Sequence, residues 1–208
     1  MIELAKDGGL WTVTLNRPDK ANSLTGEMLE QLAEIAESAG EARVLVLTGA
    51  GKVFSAGADL EAARAGLATS PLWERLSGAI AALPGLTIAA LNGTAAGGAL
   101  GMVLACDLRI AVPSAKVFYP VMKLGFLPQP SDPGRMAALI GPARTRLVLM
   151  GGQRLSAEEA LAFGLVDRLV EPEALMDTAR ALAADTLAAE PSVAAAIKAL
   201  CVGVRARG

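Results

Sequence analysis

The sequence predicts an α/β fold whose sheet is at least partly parallel. Residues 44–48 form a short continuous apolar run, VLVLT, which is typical of a strand buried on both faces. Residues 10–16 alternate apolar and polar side chains, as a half-buried strand does, and an amphipathic helix separates the two segments. The amphipathic segment 72–83 and the apolar run 87–91 repeat this order. Two strand-helix-strand units are therefore expected.

The first helix is predicted from its cap and its apolar face. Thr25 is a residue type suited to the N-cap, and Pro18 ends the preceding strand. Apolar residues recur at helical spacing, namely Met28, Leu29, Leu32, Ile35 and Ala36. Acidic residues occupy the other side of this helix, which predicts that it buries one face against the sheet.

Short strands and helices follow the second unit. We expect a glycine-opened helix over residues 97–106 and strands over 108–111 and 116–119. Three prolines predict a loop over residues 126–134, with helices over 135–140 and 142–150.

The last part of the chain is mainly helical. Ser156 and Glu159 form a capping box, and Gly164 closes the helix that they open. A strand over residues 166–170 is expected next, and then alanine-rich helix from residue 172 onward, broken at Glu190-Pro191. We expect residues 1–170 to form the core, and residues 171–208 to be a helical segment of the same domain or an appendage.

The composition excludes several classes of protein. The 208 residues are 53% hydrophobic and 19% charged, which predicts a globular protein with a large core. The formal net charge of -2 and the pI near 5.3 leave no excess of cations for a nucleic acid or an anionic membrane. Residues 87–105 approach membrane-spanning length, but they contain Asn92, Thr94 and several glycines, so we expect no span.

The chain contains no histidine, which excludes Ser-His-Asp and Cys-His mechanisms and histidine-ligated metals. Cys106 and Cys201 lie far apart in the sequence and outside any CxxC motif, so neither zinc nor another metal is expected. Both cysteines are typical of reduced thiols. The N-terminus carries Glu3 and Asp7 without an apolar run, which argues against a signal peptide. We therefore expect a cytoplasmic protein.

Two segments could hold chemistry. Residues 53–60, VFSAGADL, place small residues before an aspartate at the start of a helix, and small residues let a ligand approach the backbone. Residues 91–101, LNGTAAGGALG, turn from a strand end into a helix whose first amides are free. Free amides of this kind stabilise a developing oxyanion. Either segment on its own is also compatible with an ordinary tight turn that binds no ligand.

The order and spacing of these segments resemble the crotonase superfamily, the enoyl-CoA hydratase/isomerase family. The resemblance covers nearly the whole chain, with LNRPDKANSL before the two segments, CDLRIA after them, and GPARTRLVLMGGQRLSAEEALAFGLVDRLV near the end. It implies a spiral of ββα units with C-terminal helices. It also implies a homotrimer or a dimer of trimers.

The resemblance implies an acyl-CoA substrate, with coenzyme A as part of that substrate and no permanently bound cofactor. The thioester oxygen would accept backbone N–H bonds from Ala56 and Gly98. Lys20 and Ala21 would border the adenine end of coenzyme A, and Ala58 and Asp59 would line its channel. Asp59 is equally well interpreted as a helix N-cap.

The chain departs from the family pattern at both hydratase glutamates. The resemblance places the first at Gly101 and the second at Val121, in the segment PVMKLG. Without this pair, ordinary enoyl-CoA hydration and single-glutamate isomerisation both lack their acid-base groups. The loop supplies Gln129, Ser131 and Asp132 as substitutes, with Asp132 alternatively a helix cap, and Tyr119 is either a site residue or a packed phenol.

Relatives in this family continue into further helices, so part of the lid over the acyl pocket is expected to be absent. Two classes of function remain open. The first is an acyl-CoA enzyme that keeps the oxyanion hole, such as an atypical hydratase or isomerase, a decarboxylase or a thioester hydrolase. The second is a degenerate CoA-ester-binding subunit, and a purely structural oligomer is a third possibility.

Overall fold

The computed structural model describes residues 1–204, with side-chain environments up to Cys201. Its strands are β1 (Ile2–Asp7), β2 (Leu10–Leu15), β3 (Val44–Gly49), β4 (Val53–Ser55), β5 (Leu86–Leu91), β6 (Thr94–Ala96), β7 (Leu108–Ala111), β8 (Lys116–Phe118), β9 (Leu155–Ser156) and β10 (Arg168–Leu169). Its α-helices are α1 (Gly26–Ser38), α2 (Leu60–Arg64), α3 (Leu72–Ala82), α4 (Leu100–Ala105), α5 (Val121–Leu124), α6 (Asp132–Leu149), α7 (Ala157–Phe163), α8 (Leu175–Ala188) and α9 (Pro191–Val204).

The main sheet has the strand order β1-β2-β3-β5-β7-β10. Every neighbouring pair in it is parallel except β1 and β2, which form an antiparallel hairpin. Strand β3 is buried along almost its whole length, as its apolar run predicts. The prediction of a partly parallel sheet is therefore confirmed.

A second, smaller sheet contains β4, β6, β8 and β9. The strands β3, β5 and β7 of the main sheet are each followed by a short strand of the second sheet and then by helix. This repetition is the predicted spiral of ββα units. It brings the ends of β4 and β6 side by side, because these two strands pair in parallel.

The helices agree with the sequence in most places. Thr25 caps α1 by accepting a hydrogen bond from the Met28 N–H at 3.2 Å, and Ser156 and Glu159 form the capping box of α7. The chain also breaks between α8 and α9 as predicted.

Two predicted boundaries are wrong. The loop does not extend to residue 134, because α6 begins at Asp132 with Pro133 in its first turn, where a missing N–H costs nothing. The prediction of two helices on either side of residue 141 is confirmed, because α6 consists of two helical segments joined at a kink where Gly141 takes φ 79°. The strand expected over residues 166–170 pairs only at Arg168–Leu169.

The core lies between the main sheet and the helices α1, α3 and α4. Cys106 is buried in it and Cys201 is exposed, and neither forms a disulfide. Within residues 1–204, none of the helices is both long enough and apolar enough to cross a membrane.

Candidate active site

The corner that follows β4 packs on the loop that follows β2. The Ser55 hydroxyl donates to the Asn22 carbonyl at 2.8 Å, and Leu24 forms an isolated parallel bridge with Ala58. The buried Asn22 amide also donates to the carbonyls of Ala50 and Val53, at 2.9 and 2.7 Å. These bonds bring the two predicted coenzyme A segments, residues 20–21 and 58–59, to the same side of the molecule.

The backbone amides of this corner differ in what they bind. The Ala56 N–H donates to the Ala21 carbonyl at 3.0 Å, which contradicts the prediction that Ala56 supplies an oxyanion donor. The Gly57 N–H donates to the Ser55 hydroxyl at 3.2 Å, and the Asp59 N–H donates to the Leu24 carbonyl at 2.8 Å. Within the part of the chain that the structure describes, the Ala58 N–H is the corner amide with no acceptor.

Asp59 is the N-cap of α2, as the alternative interpretation predicts. Its carboxylate accepts the N–H groups of Glu61 and Ala62 at 3.1 and 3.4 Å. The Arg17 guanidinium donates to the same carboxylate at 2.8 Å. Hydrogen bonding by Arg17, followed by the Ala62 amide, holds the pKa of Asp59 below its usual range.

The glycine turn after β6 lies against this corner. A Cβ on Gly57 would come within 2.8 Å of the Ala96 carbonyl oxygen, so only glycine permits this approach of the two segments. Gly97 takes φ 58° and begins a short 3-10 helix, Gly97–Ala99, that leads into α4. This geometry leaves the half-buried Gly98 amide at the first turn of a helical segment.

Trp73 forms the opposite wall of the glycine turn. Its ring lies 3.1 Å from the position that a Cβ on Gly98 would occupy. The side chain is 3% exposed, and its indole N–H donates to the Leu67 carbonyl at 2.7 Å. A rigid aromatic side chain of α3 therefore bounds the space next to the Gly98 amide.

Asp132 occupies the space that the absence of a side chain at Gly101 leaves free. A Cβ on Gly101 would lie 3.2 Å from the Asp132 Oδ1. Asp132 is fully buried, and the Tyr119 hydroxyl donates to its Oδ2 at 2.9 Å. Among the described residues, Oδ1 has no hydrogen-bond partner. The side chain does not cap α6, so the cap interpretation of Asp132 is wrong.

Burial shifts the pKa of both partners in this pair. Desolvation raises the pKa of Asp132 to about 6, although the Tyr119 hydrogen bond and the charge of Arg135 act in the opposite direction. Desolvation, followed by the charge of Asp132, raises the pKa of Tyr119 above its ordinary value. Tyr119 is thus a neutral donor at physiological pH, and Asp132 is a carboxyl group that can gain or lose a proton near neutrality.

Sequence reasoning missed one further carboxylate, Glu74 on α3. Its two oxygens accept the backbone N–H and the hydroxyl of Ser131, at 3.0 and 2.6 Å. The side-chain amide of Gln129 donates to the Ala68 carbonyl at 3.2 Å. This is a second contact between the loop before α6 and the region of residues 68–74. Glu74 looks like an ordinary acidic residue in the first turn of an amphipathic helix, so nothing in the sequence distinguishes it.

The predicted site residues are only partly brought together. The corner, the glycine turn and Asp132 form one continuous region, whereas Val121 is a buried apolar residue of α5 without acid-base chemistry. Across the described residues, no group of three acidic, cysteine or histidine side chains could hold a metal ion.

The sequence profile described as enoyl-CoA hydratase/isomerase matches residues 5–204. A carnitinyl-CoA dehydratase of Citrobacter koseri is 37% identical over 207 residues, which are 95% of this chain and 78% of that protein. A short-chain-enoyl-CoA hydratase of Clostridium acetobutylicum is 34% identical, covering 88% of this chain and 73% of that protein. The crystal structure of an enoyl-CoA hydratase from Bacillus anthracis superimposes with a TM-score of 0.88 at 33% identity, covering 95% and 80% of the two chains.

Proposed function

Because the chain belongs to the enoyl-CoA hydratase/isomerase family, we propose that it is an enzyme that transfers a proton at the α-carbon of an acyl-CoA thioester. The backbone amides of Ala58 and Gly98 bind the thioester oxygen, and Asp132 carries the proton. The hydratase and dehydratase named among its relatives act on CoA thioesters.

The oxyanion donors follow from which amides are available. The Ala56 N–H already donates to the Ala21 carbonyl, so it is not available to the thioester oxygen. The Ala58 N–H has no acceptor among the described residues, and Ala58 lies two residues further along the same corner. Deprotonation at the α-carbon places negative charge on the thioester oxygen. Two preorganised N–H groups in a desolvated site each stabilise such a charge by about 3 kcal/mol.

The observation that carries the proposal is the free Oδ1 of Asp132. A buried carboxyl oxygen without a partner is costly, and such groups are concentrated at functional sites. Its position beside Gly101 is where the family resemblance places the first hydratase glutamate. The carboxyl group thus reaches that space from α6 instead of α4.

The coenzyme A moiety is assigned to the surface formed by residues 20–21 and 58–59. Lys20 is exposed at the end of the loop, and Ala21 adjoins the corner through its carbonyl. The Asp59 carboxylate already binds the Arg17 guanidinium and the first amides of α2. Asp59 therefore shapes this channel through its backbone and forms no ion pair with the ligand.

Hydrogen exchange at the α-carbon of butyryl-CoA in D2O tests the proposal, with deuterium uptake followed by mass spectrometry. We expect exchange by the native protein and a loss of at least about 100-fold in Asp132→Asn, the range for an acid-base group. Glu34→Gln, an exposed change on α1, is the matched control and should exchange at the native rate.

Binding of butyryl-CoA without any exchange would instead support the degenerate binding subunit. Exchange that continues undiminished in Asp132→Asn would remove Asp132 from the mechanism.

A further inference from the structure

An open cavity of about 660 Å³ lies between α9 and the body of the protein, beside the C-terminal end of α4. We call it the α9 cavity. Its volume is that of an ordinary small-molecule site, and its lining is mainly apolar with a few polar groups, as such sites are. The larger apolar side chains that line it are Leu86, Leu104, Leu108, Leu139, Val193 and Ile197.

The α9 cavity is separate from the proposed active site. Arg135 lines the cavity and follows Asp132 by three residues on α6, so the cavity begins about one helical turn beyond the proposed acid-base group. Neither Gly98 nor Asp132 lines it. Its occupant would therefore be a second ligand and not the reacting part of the thioester.

Arg135 is the polar group that points to a ligand in this cavity. Its Nη1 is fully buried and has no hydrogen-bond partner among the described residues. A guanidinium stays charged in proteins, and a buried charge without a partner is costly. Because Arg135 lines the cavity, an anion that enters can pair with it, and a carboxylate matches the planar guanidinium with two parallel hydrogen bonds.

The other charged groups around the cavity favour a ligand with a single negative charge. The Lys198 ammonium is already bound, because it donates to the Asp107 carboxylate at 2.7 Å and to the Gly85 carbonyl at 2.9 Å. Asp185 also lines the cavity and is exposed to solvent. The carboxylates of Asp107 and Asp185 would repel a phosphate dianion more strongly than a carboxylate.

We propose that the α9 cavity binds a free medium-chain carboxylate, with its carboxylate on Arg135 and its hydrocarbon chain between the apolar side chains of α4, α6 and α9. Helix α9 lines the cavity from Val193 to Cys201, about 12 Å of helix, which suits a chain of this class. The inference goes beyond the proposed function and does not depend on it, because the two sites share no residue.

Calorimetric titration with decanoate, below its critical micelle concentration, tests the charge at Arg135. We expect one decanoate per chain, and a loss of affinity of at least about 10-fold in Arg135→Gln. Arg135→Lys keeps the charge without the paired geometry, so its affinity should lie between the two. Arg146→Gln removes an exposed charge from the same helix and should bind as the native protein does. Decanol lacks the carboxylate, so the native protein and Arg135→Gln should bind it equally.

A second pair of variants tests where the hydrocarbon chain lies. Ala194 lines the cavity from α9, so the larger side chain of Ala194→Leu should occupy part of the space and lower the affinity for decanoate at least about fivefold. Ala196→Leu, an exposed change on the same helix, should leave the affinity unchanged. If Arg135→Gln does not fold, as judged by circular dichroism, this pair decides the question.

Four results would overturn the inference. These are no binding of decanoate to the native protein, equal affinity in the native protein and Arg135→Gln, equal affinity in Ala194→Leu and Ala196→Leu, or displacement of decanoate by saturating butyryl-CoA. The last result would place decanoate in the acyl site. Decanoate binding by a protein that exchanges no α-proton of butyryl-CoA would contradict the proposed function alone.

Discussion

Asp132 is a side chain whose burial opposes stability. Its pKa in the folded protein is about 6, against 3.8 when unperturbed. Between these pH values the folded state keeps a proton that the unfolded state has released. The free energy of unfolding therefore falls as pH rises through this window, by about 3 kcal/mol at most.

Asp132→Asn should consequently raise the melting temperature at pH 7 while it abolishes turnover. The amide cannot ionise, so it avoids the cost of a buried anion and can still accept the Tyr119 hydrogen bond. Melting curves of both proteins between pH 4 and pH 8 should converge at the acid end. A constant difference across this range would show that Asp132 does not titrate in the folded state as described.

A single methyl group added at Gly101 should disturb the Asp132 carboxyl group without contacting the substrate. A Cβ there would lie 3.2 Å from the Asp132 Oδ1, so Gly101→Ala should displace the carboxyl group and lower α-exchange by about 10-fold or more. Gly134→Ala is the matched control, because its Cβ meets nothing within 4 Å and it lies in helix α6. That variant should keep its activity and gain up to about 1 kcal/mol of stability. Equal activity of the two variants would contradict the proposed packing.

At this scale the sequence predicted residue types better than residue roles. The glycine turn and Asp132 could be proposed as site residues, because glycines at a strand-to-helix turn and an acidic residue in a proline-rich loop are visible in the sequence itself. Which amide of the first corner is free could not be predicted, because the acceptor of the Ala56 N–H is the carbonyl of Ala21, 35 residues away in the chain. The contact between Glu74 and Ser131 could not be predicted, because it joins residues 57 positions apart in the chain.

Among the elements, the long parallel strands and the amphipathic helices were predictable from periodicity. The hairpin strand β1 was not, because it lies at the edge of the sheet and buries only Ile2, so its sequence lacks an alternating apolar pattern. In the second sheet, β8 lies within the strand predicted over residues 116–119. The strands β4, β6 and β9 were not predicted, because they contain only two or three residues, which is too short for any period to be read. Since β4 and β6 position the two segments proposed to bind the thioester oxygen, the geometry of the proposed site could not be predicted from the sequence.

Helix α7 offers an element-scale prediction. Its capping box joins the Ser156 hydroxyl to the Glu159 N–H at 3.2 Å and the Glu159 carboxylate to the Ser156 N–H at 2.8 Å. Ser156→Ala should lower the free energy of unfolding by about 1 kcal/mol, measured by urea denaturation. Ser38→Ala, which removes a hydroxyl at the end of α1, should change it by less. A loss of stability as large in Ser38→Ala would mean that the capping bonds are not responsible.

For the whole molecule, an apolar surface segment bears on assembly. The side chains of Met122, Leu124, Phe126 and Leu127 are 57%, 59%, 42% and 88% exposed within only six residues of chain. A contiguous exposed apolar patch of this kind marks an interaction surface. We expect the protein to form trimers or pairs of trimers, as the family resemblance implies.

Sedimentation equilibrium at micromolar concentration should therefore give a mass well above the 21.2 kDa of one chain. Leu127→Asp should shift the distribution toward the monomer, because it places a charge in the patch. The matched change Leu60→Asp, at an exposed leucine outside this segment, should have a smaller effect. A native protein that sediments only as a monomer would exclude this assembly.

The wall that Trp73 forms beside Gly98 also gives the molecule an optical signal. The chain has two tryptophans, and Trp11 lies in β2 with the Lys6 ammonium 3.5 Å from its ring centroid. Indole emission responds to the polarity of its surroundings. A thioester arriving at Gly98 would change the surroundings of Trp73 and leave those of Trp11 as they are. Fluorescence of a Trp11→Phe variant would thus report occupancy of the acyl site directly, with no chromophore on the ligand and no chemical turnover.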